Sequence, residues 1–246
     1  MRSIHLKTLS LCGTILPAVL ACGPQPAAET ATETETAAEI AETSGDAHEG
    51  EDALPLPKRL AFMAGHVEAG LALYRAGEPE MAAPHLLHPV SETHAAEREG
   101  LDALGFDGSI FEQVSTALEE GVSAADVEPQ LEAAEAHLAI LAASAGGEPR
   151  EIIAYLLDTV AEEYAIGVPE ATVTDPGEYQ DAYGFTVVAI ARTGGLGGPG
   201  VDELRAELEG LLELWPGGPV PPEDPTPLDE IERQVERVRA ALAATG

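Results

Sequence analysis

The chain has 246 residues, of which 44 are acidic and 12 basic, giving a net charge of −32 at pH 7. A surface this acidic repels nucleic acid and anionic lipid headgroups, which excludes a nucleic-acid partner, and it favours solubility and cations. Both cysteines, at positions 12 and 22, precede the rest of the chain, which can therefore hold neither a disulfide nor a cysteine-based zinc site.

A targeting segment occupies the first residues. Two basic side chains precede an apolar run from Leu9 to Leu20, which has the length of a signal-peptide core and is too short to span a bilayer. The run ends in Val19-Leu20-Ala21-Cys22, which resembles a bacterial lipobox. The resemblance implies a lipoprotein signal peptide over residues 1–21, lipidation of Cys22, and attachment to the membrane through that lipid anchor. An ordinary secretory signal is the alternative.

The residue after the lipidated cysteine is Gly23 rather than Asp. In Gram-negative lipoproteins, which this segment resembles, that choice implies the outer membrane. The expected location is therefore the cell envelope, lipid-anchored and facing the periplasm. Residues 22–57 contain many acids and no base or aromatic side chain, which predicts an acidic, disordered tether.

Residues 58–246 are long enough for one domain with a substantial core, and they contain no run of alternating β-branched residues. The periodicity predicts an all-α bundle of about eight helices, built from helical hairpins. The first helix, 58–76, is closed by Gly77, and Pro79 opens a second at 79–104 that Pro89 must kink or break. The other predicted helices span 109–120, 125–144, 149–165, 178–193, 201–214 and 228–244.

Two copies of a Gly-Glu-Pro turn, at 77–79 and 147–149, suggest an internal duplication with an offset of 70. Leu86 then aligns with Leu156, and His88 aligns with Asp158. Chance matching between helices rich in Ala and Leu is the alternative explanation. The first hairpin also resembles a tetratricopeptide motif through its small and bulky positions, which are Gly70, Gly77, Ala82 and Leu86. That resemblance implies a related hairpin geometry.

The first hairpin holds the strongest candidate site. His85, His88 and Glu92 follow one another at spacings of three and four, which places them on one face of a continuous helix, and His66 can approach from the facing helix. Imidazoles with a carboxylate suit Zn, Cu, Ni or Fe, and helical bundles often build metal sites from facing side chains. The alternative is that these histidines are hydrogen-bonded core residues.

Further candidate ligands are weaker. Asp158 and Glu162 occupy the matching face in the second copy, and His137 lies on the fourth predicted helix. His94-Ala95-Ala96-Glu97 fits the short His-x-x-Glu pattern of imelysin-type envelope proteins, which are helical bundles with duplicated halves. The resemblance to that family implies a link to iron handling through His94 and Glu97.

No nucleophile, phosphate-binding or zinc-protease motif occurs, so we expect a non-enzymatic protein. The favoured hypothesis is an anchored lipoprotein that binds or delivers one transition-metal ion. The alternative is a helical-hairpin scaffold that holds an envelope protein partner. A third hypothesis, a hydrolase with a metal-bound water, needs the same cluster and a substrate cleft as well. A metal binder should cluster its histidines in a partly open pocket, whereas a scaffold should scatter them and expose an apolar groove.

Overall fold

The computed structural model describes residues 54–91 and 98–246. Within these residues the chain is helical and has no β-strand, which confirms the predicted all-α bundle of eight helices. The eight α-helices are α1 Leu56–Ala76, α2 Pro79–Leu87, α3 Gly108–Glu119, α4 Ala124–Ala145, α5 Pro149–Gly167, α6 Pro176–Arg192, α7 Val201–Leu212 and α8 Leu228–Ala244. Cys22 and most of the predicted tether lie outside the described residues, so lipidation and disorder there stay predictions.

The turn between α1 and α2 has the geometry that its glycine favours. Gly77 adopts the left-handed conformation with φ of 85°, and its N–H donates to the carbonyl of Tyr74. The N–H of Glu78 donates to the carbonyl of Leu73 at 3.0 Å, so two carbonyls at the end of α1 are satisfied. Pro79 then begins α2, where its missing N–H costs nothing. The two helices therefore fold back on each other, as the pattern predicts.

The second helix is much shorter than the predicted span of 79–104. It ends at Leu87 and is followed by a single 3₁₀ turn, His88–Val90. Pro89 accounts for the break because it has no N–H to donate to the carbonyl of His85, so the α-helical hydrogen-bond pattern stops there although His88 keeps helical angles of φ −48° and ψ −51°. Another 3₁₀ turn at Asp102–Leu104 ends the connection.

The second Gly-Glu-Pro turn is different in structure from the first. Gly146 and Gly147, both with positive φ, join α4 to α5, and a Cβ on Gly147 would lie 2.7 Å from the Cβ of Pro57. Before this turn α4 packs on α1 and α3, and after it α5 packs chiefly on α6. The two turns thus share a sequence and a glycine conformation, but the helix pairs around them pack differently.

Helix α1 lies at the centre and packs against α2, α4, α5 and α6. Its buried residues run almost all the way round the helix, with Leu60, Met63, Val67 and Leu71 at 0–1% exposure. The pairs α5–α6 and α7–α8 complete the bundle. Trp215, just after α7, is buried against Tyr164, and its Nε1 donates to the carbonyl of Tyr179 at 3.1 Å. None of the helices in residues 54–91 and 98–246 is long and apolar enough to cross a membrane.

Candidate metal centre

The candidate centre lies where α1 and α6 cross, and two glycines allow the crossing to be close. A Cβ on Gly184 would lie 2.0 Å from the backbone oxygen of Gly65 and 2.9 Å from the nitrogen of Ala69. A Cβ on Gly65 would overlap the ring of Phe185, also at 2.0 Å. Only glycine fits at either position, so the backbones of the two helices approach within contact distance. His66 follows one of these glycines, and Asp181 precedes the other by less than one turn.

Asp181 brings two histidines together. Its Oδ1 atom lies 2.7 Å from Nδ1 of His66 on α1 and 2.9 Å from Nδ1 of His85 on α2. One carboxylate oxygen therefore joins three helices. The side chains of His66, His85 and Asp181 are 14%, 5% and 11% exposed, so the group is largely buried.

Gln180 and Met81 fix the orientation of His85. The Nε2 atom of His85 lies 2.9 Å from the Oε1 of Gln180, and the Nε2 of Gln180 donates to the sulfur of Met81 at 3.4 Å. The bond to sulfur sets the amide so that its oxygen faces the imidazole. His85 consequently donates through Nε2 to Gln180, while its Nδ1 faces Asp181.

The charges of the group stabilise one another. Burial alone lowers the pKa of His85, but the hydrogen bond and charge of Asp181, with help from Gln180 and Glu178, outweigh it and raise that pKa. Burial likewise raises the pKa of Asp181, but the hydrogen bonds from His66 and His85 hold it well below its ordinary range. The group is thus a hydrogen-bonded pair of imidazoles on one carboxylate, and a metal ion bound through the same Nδ1 atoms would displace the protons shared there.

A third histidine lies against the first two. The ring of His88, in the 3₁₀ turn after α2, stacks on the ring of His66 with centroids 4.4 Å apart and planes 16° apart. Phe62 packs edge-on against His66 at 4.7 Å. The Nε2 atom of His66 is buried and has no hydrogen-bond partner in the described part of the chain. A buried imidazole nitrogen without a partner is uncommon in folded proteins and marks this ring as more than a packing residue.

A pair of carboxyl groups lies beside the centre. Glu163 on α5 and Glu178 on α6 share a hydrogen bond. Burial, this hydrogen bond, and the charges of Glu178 and Asp181 raise the pKa of Glu163 to about 9. Glu163 is therefore protonated at neutral pH. Together these groups make the end of α6 nearest Asp181 rich in oxygen ligands.

The donor set is suited to a transition metal. One ligand atom from each of His66, His85 and Asp181 lies within 4.8 Å of the other two. Two imidazoles and a carboxylate are the ligands of non-haem iron(II) sites, and zinc accepts the same set. Gln180 adds the outer hydrogen bond that commonly orients a ligating histidine.

The predicted ligands divide into three groups. The structure brings His66, His85 and His88 together, as the hairpin hypothesis requires. It places His137, Asp158 and Glu162 elsewhere. The Nε2 of His137 accepts a hydrogen bond from the backbone N–H of Asp107. Asp158 is exposed and forms a salt bridge with Arg239, and Glu162 is exposed on α5. Glu92, His94 and Glu97 lie outside the described residues, so their predicted roles stay predictions.

Asp181 is the residue that sequence reasoning missed. It lies 115 positions after His66, on α6, a helix for which the sequence predicted no site residue. The available signal was an acidic residue, next to Gln180, on the otherwise apolar stretch from Tyr179 to Ala191. A charge in such a position is buried only when it is paired, which would have suggested a histidine partner.

Comparison with known proteins gives one match. A family model described as the iron permease-associated 4-helix bundle domain matches residues 148–245, about two fifths of the chain, which contain α5, α6, α7 and α8. Asp181 lies in the matched part, whereas His66, His85 and His88 precede it. No curated protein and no solved structure matches the chain.

Proposed function

We propose that this protein binds a transition-metal ion, with iron(II) as the first candidate, through His66, His85 and Asp181, and delivers it to a partner at the cell envelope. The observation that carries the proposal is the convergence of two Nδ1 atoms on one oxygen of Asp181, at 2.7 and 2.9 Å. Three donors on three helices that meet at one point form a site before any metal arrives.

The choice of iron rests on two independent supports. The ligand types are those of two-histidine, one-carboxylate iron(II) sites. The family whose model matches α5 to α8 is described by its association with iron permeases, and that part of the chain supplies Asp181. Zinc, copper and nickel compete for the same ligands, so binding assays should include them.

His88 is the candidate for a further ligand. Its ring stacks nearly parallel on that of His66, with centroids 4.4 Å apart, which puts a third imidazole beside the proposed ligands. The proposal is thus that His66, His85 and Asp181 form the permanent site and that His88 joins when the metal is bound.

The experiment is metal binding by the purified full-length chain under anaerobic conditions. The chain is offered iron(II), zinc, copper and nickel in turn, and retained metal is quantified after desalting. Asp181→Asn keeps the shape of the side chain and removes its charge, and Asp158→Asn makes the same change at an exposed position. We expect one metal ion per chain in the parent and in Asp158→Asn, and none in Asp181→Asn or His85→Asn. Equal metal in all four proteins would refute the site.

Attachment to the envelope is a separate proposal, supported by the lipobox-like sequence that ends at Cys22. A lipid on this residue would tether the metal-binding domain to the membrane through residues 22–57, and two or more acyl chains make such anchoring stable. Partition of the full-length protein into detergent, compared with Cys22→Ala, tests the anchor. A parent chain that stays in the aqueous phase would exclude it.

A further inference from the structure

A second concave site lies between α4 and α6, over α1, and shares no residue with the histidine group. It is a groove of about 360 Å³, within the size range of small-molecule sites. Its walls are mostly small apolar side chains from three helices. These include Ala64 of α1, Ala139 and Ala142 of α4, and Val187 and Ala191 of α6.

Besides Glu135, which is paired with Arg75, two charged side chains of opposite sign line this groove, Glu68 and Arg192. Neither makes a hydrogen bond or a salt bridge with any other residue in the described ranges. Both side chains are half-buried. Burial lowers the pKa of Arg192, with no acidic neighbour to oppose it. Partly buried charges without partners are costly, so their presence in one groove calls for a ligand that satisfies them.

The nearest basic residue does not neutralise Glu68. Arg75 is committed to α4, where it forms salt bridges of 2.7 Å with both Glu128 and Glu135. The three acidic groups around Arg75 leave an excess of negative charge at this end of the groove. Tyr183 of α6 lies near Glu68. A cation is therefore the group that fits beside Glu68.

Arg192 lies towards the opposite end. The α4 wall of the groove begins at Glu135, whose charge acts on Glu68, and ends at Gly146. At the rise of an α-helix this wall is roughly 16 Å long. Pro149 follows Gly146 at this far end of the groove. It lies near Gly195, because a Cβ on Gly195 would be 3.0 Å from the Cγ of Pro149. Arg192 is three residues before that glycine. The groove is long and narrow, with a negative end and a positive end.

We propose that this groove binds a linear dipolar molecule: an ammonium group beside Glu68, an unbranched aliphatic chain along the alanine and valine walls, and a carboxylate beside Arg192. An uncharged aliphatic ligand would leave both charges unsatisfied. A metal ion would find only one carboxylate that is not already paired. The dipolar chain satisfies both ends and the walls between them, and its binding is independent of the metal centre.

The test uses calorimetric titration of the full-length chain with 8-aminooctanoate, octylammonium and octanoate. These probes share the chain and differ in the charged ends. We expect 8-aminooctanoate to bind most tightly, with each missing charge weakening binding about tenfold. Glu68→Gln should reduce the affinity for 8-aminooctanoate to that for octanoate, and Arg192→Gln should reduce it to that for octylammonium.

Glu132→Gln, an exposed position on α4, is the matched control and should leave all three affinities unchanged. Ala142→Trp fills the groove and should abolish binding of every probe while metal binding persists. Circular dichroism establishes that each variant is folded. Failure of all three probes to bind the parent, equal affinity for the three, or the same affinities in Glu68→Gln as in the parent would each overturn the proposal.

Discussion

Replacement of Gly184 by alanine should disrupt both the packing of α6 on α1 and the metal centre. The added Cβ would lie 2.0 Å from the backbone oxygen of Gly65, and side-chain carbons essentially never approach closer than 3.0 Å. The helices must therefore separate by about 1 Å, because neither contact atom belongs to a flexible side chain. The hydrogen bond of 2.7 Å between His66 and Asp181 spans this crossing and should lengthen by a similar amount.

The energy of this change follows from two opposing effects. Overpacking of a helix crossing costs about 1–3 kcal/mol, while alanine regains about 1 kcal/mol through its helix propensity. We expect Gly184→Ala to lower the free energy of unfolding by up to about 2 kcal/mol, and by more if the histidine contacts are lost as well. Urea denaturation measures the change, which should appear in the midpoint and not in the slope. Iron(II) affinity should fall in the same variant.

Gly210→Ala is the matched control, because it is also a helical glycine. Its added Cβ would be 3.3 Å from the side-chain nitrogen of Gln234, a flexible end that can move. Here we expect no loss of stability or a gain of up to about 1 kcal/mol. If Gly184→Ala proved as stable as Gly210→Ala and bound metal as well as the parent, the close crossing would not be what positions the centre.

Three further predictions concern single residues. Gln180→Ala should weaken metal binding about tenfold, because it removes the hydrogen bond that orients His85. The number of metal ions bound per chain at saturation should stay the same. Unchanged affinity in equilibrium titrations would contradict the orienting role of Gln180. Because the pKa of Glu163 is raised to about 9, the stability it contributes is full below pH 4.5 and is lost as pH rises towards 9. Glu163→Gln should therefore be more stable than the parent at pH 8 by about 1 kcal/mol, after allowance for solvent screening. The difference should vanish at pH 4. Chemical denaturation at both pH values measures the free energy of unfolding of each variant, and Glu162→Gln is the control. Gly77→Ala should cost about 1 kcal/mol in thermal or urea unfolding, since φ of 85° strains any residue with a Cβ, and a neutral result would refute the strain.

The fold was predictable from the sequence to a large extent because helix ends are marked locally. Gly77 and Pro79 identify the first turn, and Gly146 to Pro149 identify the one before α5. The error at α2 arose where a local rule pointed to two outcomes. A proline inside a helical pattern either kinks the helix or ends it, and sequence periodicity after Pro89 does not distinguish them. The structure ends the helix at Leu87.

The site was predictable only where its residues are close in sequence. His66 and His85 flank one hairpin, so the turn at Gly77 is enough to bring their helices together. Asp181 joins them through the packing of α6 on α1, and no local pattern specifies which face of a distant helix meets a given hairpin. The glycines at 65 and 184 are visible in the sequence, but a glycine in a helix does not reveal its partner. Only the crossing shows that each fits the backbone or ring of the other helix.

The candidate ligands come from two different parts of the chain. The matched four-helix segment contributes the carboxylate, and the preceding hairpin contributes the imidazoles. Neither segment alone holds more than part of the donor set, so the proposed metal binding requires α1 and α2 to be docked on α6. Because a ligand that binds only the docked arrangement stabilises it, metal should raise the stability of the α1–α6 crossing most. The same docking buries Asp181, and this burial would be unfavourable without the two histidines. The pairing of Asp181 with His66 and His85 thus helps to hold the hairpin against α6, and the same three side chains are the proposed metal ligands. This double role accounts for an ionic group in the core of an otherwise apolar crossing.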